Sequence, residues 1–204
     1  MARSRIACLR IPRFQIVVHR KDDPLLKGKP FVIMSGKGNR AQVVMCSEEA
    51  SRHQIFAGMK LSEAKAVCSD LLWKDYDEQL YGDAQKKLSR QLIACSPKVT
   101  ALEPGIFLLD AIGLGYVGGE QKMCRDMQKI AGRAGYADIH IGIADNAFAA
   151  TIASKFKRRQ FFIVNAEEDA KFLSPLSIKH LAVSEEMQCS LHELGVRTMG
   201  QLAA

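Results

Sequence analysis

Short apolar runs broken by turn residues set the pattern of this chain. Arg5–Leu9 reads as a strand, and a mixed segment follows it through Asp23. Asp22-Asp23-Pro24 and Gly28-Lys29-Pro30 carry turn chemistry, since proline fixes φ and glycine frees it. Phe31–Ser35 and Gln42–Cys46 are apolar and β-branched, with the polar stretch Gly36-Lys37-Gly38-Asn39-Arg40 between them, which predicts a hairpin. Ser47–His53 and Leu61–Cys68 have helical composition, with Ser62 as a candidate cap, and Leu71–Lys74 reads as a third short strand. Residues from about 25 to 75 therefore predict a small α+β insertion.

The longer periodicities lie beyond it. Leu80, Ala84, Leu88 and Leu92 recur at four-residue spacing and predict a helix over Tyr81–Cys95, which Pro97 stops. Val99–Leu102 and Ile106–Asp110 read as strands around the turn Glu103-Pro104-Gly105. Gly118-Gly119 opens a second helix, Glu120–Ala134, and Gly135 closes it. Asp138–Ala144 alternates Ile139, Ile141 and Ile143 with Asp138, His140 and Gly142, as a half-buried strand does. Asn146–Lys157 is a third helix with small packing residues, and Phe161–Val164 a last strand. This order predicts an α+β fold, a ferredoxin-like sheet with helices on one face. After Asn165 the chain turns helical and polar, and Leu191–Leu202 reads as helix, glycine stop and a further helix start.

Composition narrows the picture only slightly. A chain of 204 residues with 48% hydrophobic and 25% charged residues is a globular chain, not a disordered one. No apolar run reaches the roughly 18 residues of a membrane span. Met1-Ala2-Arg3-Ser4-Arg5 is basic, but the apolar stretch behind it breaks at Arg10, so no signal peptide is expected. Six scattered cysteines without a C-x-x-C pair predict reduced, buried thiols in the cytoplasm. A net charge of +7 points to a polyanionic partner, or simply to a basic surface.

Five segments carry a resemblance. They are Ile6–Phe14, Val43–Met59, Leu102–Asp110, Ile141–Asn146 running into Ala153-Ser154-Lys155, and Leu194–Gly200. In this order they resemble the Y-family (translesion) DNA polymerases. The resemblance implies a palm from residues 1–24 and 76–165, an inserted α+β fingers subdomain at 25–75, and the start of a helix-hairpin-helix thumb at 166–204.

What it implies for chemistry lies in the departures. In active family members, carboxylates on the first strand and the central hairpin clamp two Mg²⁺ ions. Two cations about 4 Å apart need several anionic oxygens to offset their repulsion and lost hydration. The first acid falls on Arg10, and the central pair on Gly105 and Ile106. The tyrosine and arginine that grip the triphosphate fall on Glu48 and Ser51, and the aromatic that screens the sugar 2′-hydroxyl falls on Gln15. The matched positions thus lack metal ligands and nucleotide-binding residues. The expectation is a catalytically inactive homologue, not an enzyme, with no metal or other cofactor.

Leu9-Arg10-Ile11-Pro12-Arg13-Phe14 is similar to the sequence after the first strand in the ImuB-like branch of that family. This implies an accessory role in damage-induced mutagenesis, with damaged or primer–template DNA, RecA and an error-prone polymerase as partners. The chain stops within the thumb, so sliding-clamp binding is not carried over, and no membrane partner is expected. Lys155, Lys157, Arg158 and Arg159 are candidate DNA contacts, although cations also suit a helix C-terminus. Arg3, Arg5, Arg10, Arg13, Arg20 and Lys21 form a second basic group, in which Arg10 and Arg13 are read as partners of Glu103 or Asp110 or as DNA contacts. The hairpin stretch Ala182-Val183-Ser184 lacks the glycines that let a phosphate approach, and Glu185-Glu186 follow it. Trp73 and Phe161-Phe162 are read as core. Two alternatives stay open: a weak nucleotidyl transferase using Glu103 and Asp110 with a shifted metal, and a pure protein-interaction module.

Overall fold

The computed structural model describes residues 4–113, 118–156, 161–181 and 183–203. Two sheets organise it. The larger has the order β5-β6-β1-β7-β8, built from β1 (Ile6–Arg10), β5 (Val99–Glu103), β6 (Ile106–Asp110), β7 (His140–Ala144) and β8 (Phe161–Ile163). Strand β1 lies at its centre, antiparallel to both β6 and β7, while β7 and β8 run parallel. The smaller sheet has the order β3-β2-β4, from β2 (Phe31–Ser35), β3 (Gln42–Cys46) and β4 (Leu72–Asp75). The predicted hairpin of β2 and β3 is present, and β4 joins β2 in parallel. The expected fold class, a mixed α+β palm-like sheet with a small α+β insertion and a helical continuation, is the observed one.

Both faces of the large sheet are covered. On one face Ala7, Leu9, Phe107, Leu109, Ile141 and Ile143 meet α4 (Glu78–Leu92) and α5 (Gly119–Arg133), and they form the main core with Leu88, Leu92 and Met127. On the other face Cys8 and Ala144 meet Ala149, Ala150 and Ala153 of α6 (Ala147–Ala153). Helices on one face only is therefore corrected, and so is the half-buried β7: Ile141, Gly142, Ile143 and Ala144 are all buried. The small side chains explain it. A Cβ on Gly142 would lie 2.2 Å from the Ala150 carbonyl oxygen, so only glycine lets α6 rest on the strand.

The mixed segment after β1 is a helix, α1 (Phe14–Asp22). Its buried residues Phe14, Ile16 and Val18 alternate like a strand because α1 is covered on more than one side. It packs on α4 and the small sheet, and His19 Nε2 lies 2.7 Å from the buried Tyr81 hydroxyl. In the insertion, α2 (Glu48–Arg52) is capped by Ser47, whose Oγ accepts from Ala50 N at 3.2 Å. Helix α3 (Leu61–Val67) begins at Lys60 rather than Ser62, with Glu63 accepting from the Lys60 amide at 3.0 Å. Beyond β8 come α7 (Asp169–Leu173), α8 (Glu185–Glu193) and α9 (Met199–Ala203). Among the described residues no helix is long and apolar enough to cross a membrane.

All six cysteines are free; Cys8, Cys46, Cys68 and Cys124 are buried, Cys95 is half-buried and Cys189 is exposed. Burial pushes the Cys124 thiol up to about 12 and Cys95 to about 11, so neither is a thiolate near neutrality. Trp73 is not core: it is 44% exposed, with Lys65 Nζ 3.9 Å from its ring centroid. Phe162 is half-buried against Phe156 and Phe172, with centroids 5.6 and 5.4 Å away.

Candidate nucleic-acid interface

The candidate site lies where β1 ends. Across the sheet, Arg10 stands opposite Ile106 on β6 and His140 on β7, and directly opposed residues share a face. That face is the one α6 covers. Helix α6 lies over the Cys8–Gly142 pair, where Ser154 Oγ is 3.7 Å from the Cys8 sulfur, and it has ended before the next pair outward. Ile106, Arg10 and His140 thus form the first row beyond the helix.

The hairpin beside this row is built around Gly105. Ile11 N donates to the Gly105 carbonyl at 2.8 Å, and Gly105 has φ +85°. A Cβ there would sit 2.5 Å from Phe14 Cβ and 2.8 Å from the Ile11 oxygen. The backbone is fitted around the absence of a side chain, and an acid does not fit without rearrangement. Arg13, exposed at the start of α1, has φ 50°, a conformation costly for a non-glycine residue. With Met45, Cys46, Ser51, Gln54 and Ile55 it lines a cleft of about 570 Å³ against the small sheet and α2.

Glu48 and Ser51, expected to stand at the triphosphate grip, make local contacts. Ser51 Oγ donates to the Ser47 carbonyl at 3.0 Å, and Glu48 is held by Arg52 at 2.8 Å on the exposed side of α2. Gln15 is half-buried on α1.

The second basic group disperses. Arg5 is buried at the opposite end of β1. It donates from Nε and Nη2 to Glu120 at 2.6 and 2.9 Å, from Nη1 to Asp145 at 2.8 Å, and from Nη2 to the Val164 carbonyl at 2.9 Å. These carboxylates raise its pKa against the opposing effect of burial. Arg20 pairs with Glu49. Lys21 donates to the Ala134 carbonyl, and its Nζ lies 4.0 Å from the Tyr136 ring centroid. Arg3 lies outside the described residues. Of the described members of the group, Arg10 and Arg13 stay at the site.

Neither arginine pairs with Glu103 or Asp110 among the described residues. Asp110 lies opposite Ile6 at the far end of β6, where it accepts from Ile112 N at 2.9 Å and faces Lys98 at 3.9 Å. Four residues of strand, about 13 Å, separate it from Ile106. Glu103 lies opposite Ile106, so the two acids cannot share one ion and the shifted-metal alternative fails on distance. Among the described residues no group of three or more His, Cys, Asp or Glu could hold a metal ion. Arg10, Gly105 and Ile106 do not fit a pair of divalent cations.

Of the predicted DNA-contact residues, Lys155 lies two residues past the end of α6 and Lys157, Arg158 and Arg159 lie outside the described residues. Ala182 of the expected hairpin stretch also lies outside them. Ser184 caps α8, its Oγ accepting from Met187 N at 3.2 Å, and Glu185 and Glu186 fill the first turn, where a helix favours negative charge. Sequence reasoning missed His140, because only strand register brings it beside Arg10.

The model of the impB/mucB/samB family matches residues 9–155. The chain belongs to this family. Among curated proteins it is similar to a DNA polymerase IV of Dehalococcoides mccartyi (strain CBDB1), 31% identical over the whole of this chain and 53% of that protein. It is also similar to a DNA polymerase IV of Pseudomonas fluorescens (strain Pf0-1), 23% identical over 93% of this chain and 54% of that protein. The chain spans about half the length of the curated relatives it matches. Among solved structures, a post-insertion binary complex of Dbh DNA polymerase matches 95% of this chain and 58% of its own at a TM-score of 0.81 and 19% identity. DinB from Sulfolobus solfataricus matches the same shares at 0.76. The fold of this impB/mucB/samB family member is therefore that of the Y-family DNA polymerases. The expectation that it is not an enzyme is overturned: the relatives are named DNA polymerase IV, and the fold matches Dbh DNA polymerase.

Proposed function

We propose that this chain binds damaged or primer–template DNA and works in translesion DNA synthesis, with template-directed nucleotidyl transfer as the reaction class. The family match over residues 9–155, with DNA polymerase IV relatives aligned along the whole chain, carries this reading. The sheet row beyond the end of α6, and Lys155 beside it, supply a place for DNA. In this reading residues 1–24 and 76–165 serve as palm, 25–75 as fingers and 166–204 as part of a thumb, and a cytoplasmic location accords with it. Anisotropy of labelled primer–template DNA tests it: log affinity should fall by about 0.9 per phosphate contact for each tenfold rise in salt on duplex. A chain that binds no DNA even at low salt is a pure interaction module, and the reading is then wrong.

A second reading is favoured by the Leu9–Phe14 sequence and by the residues at positions 10, 105 and 106. It is an accessory role of the ImuB-like kind in the damage-induced SOS response, in which the chain holds DNA and contacts RecA or an error-prone polymerase. Primer extension with Mg²⁺ or Mn²⁺ separates the two. Template-directed incorporation that survives Asp110→Ala supports synthesis, because Asp110 lies at the wrong end of its strand. DNA binding without incorporation favours the accessory role.

A further inference from the structure

The mismatch between Arg10 and a metal site has a chemical consequence. Arg5, Arg20 and Lys21, the other described cations of the N-terminal basic group apart from Arg13, are each matched to an acid or a carbonyl. Arg10 has no hydrogen bond or ion pair among the described residues. The positions beside it that resemble the family's acidic pair are Gly105 and Ile106, which bring no carboxylate. The acid of the neighbouring loop, Asp138, is engaged with His140 Nε2 at 3.0 Å.

A second cation converges on the same place. Ser154 Oγ touches the Cys8 sulfur, Lys155 is the next residue, and Arg10 follows Cys8 by two positions on the same face of β1. Both charges act on the Cys8 thiol in favour of its thiolate, although burial outweighs them. The shielded Nδ1 of His140, in the Arg10 row, has no hydrogen-bond partner among the described residues. Two cations at the end of a sheet are complementary to an anion. A guanidinium matches a phosphate with two parallel N–H donors.

We propose that Arg10, supported by Lys155, binds a phosphate of the DNA strand directly, at the place where the resemblance sets a metal ion, so that the chain grips DNA without divalent metal. This rests on the DNA-binding reading above. The sheet positions Arg10 from strand register, and α6 ends one row short of it.

The test is anisotropy of labelled primer–template DNA with the full chain, in Mg²⁺ and in EDTA, over a salt series. The wild type should bind equally well in both. Arg10→Ala should weaken binding about tenfold in either and lower the salt slope by about 0.9. Arg10→Lys should keep the slope and lose part of the affinity, since it keeps the charge and not the fork. Unfolding midpoints of both variants check that the fold is intact. Binding that needs Mg²⁺, or an Arg10→Ala protein with unchanged affinity and slope, overturns the inference and leaves the DNA-binding reading standing. Loss of Arg10 that abolishes binding of a nucleoside triphosphate but not of DNA also overturns it. Absence of DNA binding in the wild type overturns both.

Discussion

Two arginines five positions apart bracket the same central strand, and they live in opposite surroundings. Arg5 is buried, and four donor–acceptor contacts to Glu120, Asp145 and Val164 tie the start of β1 to α5, to the end of β7 and to the segment after β8. Arg10 lies half-buried beside Ile106 and His140, with no such partner among the described residues. A charge enclosed by carboxylates is part of the fold. A charge left at the open end of a sheet is available to something outside it. Nothing in the residue type distinguishes the two; the counter-charges do.

The largest effect should come from Arg5. Replacing it with methionine removes the cation that two carboxylates, each only 28% exposed, share, and unfolding in urea should show a loss of about 3 kcal/mol. The same change at Arg10 should stay within about 0.5 kcal/mol, because a partner-free, half-exposed cation contributes little to folding. Equal losses at both sites would break the comparison.

Gly105→Asp, which places a carboxylate at one matched acid position, should cost about 2 kcal/mol or more in thermal unfolding. A left-handed backbone disfavours a side chain by about 1–2 kcal/mol, and the Phe14 overlap adds to that. A neutral Gly105→Asp would mean that the hairpin yields easily.

A pH series sharpens the contrast further, because arginine does not titrate in the accessible range. Burial lowers the His19 pKa below its ordinary value near 6.5 by disfavouring the imidazolium, with Lys74 adding to it. The fold favours the neutral ring, so that stability is present above the unfolded value and is lost as pH falls through the depressed one. His19→Gln should flatten this part of the acid limb of a urea-midpoint curve and leave the effect of Arg5 in place.

Much of the fold was legible because its elements announce themselves locally. β2, β3 and β6 occupy the runs expected of them, and α4 and α5 follow their spacing to within a few residues. Helix α1 was not legible: Phe14, Ile16 and Val18 are buried from more than one side, which erases the helical stripe. The candidate site was legible as residue identities at the matched positions Arg10, Gly105, Ile106, Glu48 and Ser51. It was not where it depended on neighbours. The six-member basic group looked like one cluster, but Arg5, Arg20 and Lys21 each go to a separate partner, and Glu103 and Asp110 looked close and are held apart by the length of a strand.

The family and the absence of acids at three matched positions come from the sequence alone, because identity at a position needs no coordinates. Which arginine is spent inside the fold and which is left open was decided only by the tertiary structure. Register sets Arg10 beside Ile106 and His140, Gly142 lets α6 lie against the sheet, and the helix ends before it reaches that row. Charge is written in the chain, but whether it is neutralised depends on what folding brings within hydrogen-bond distance.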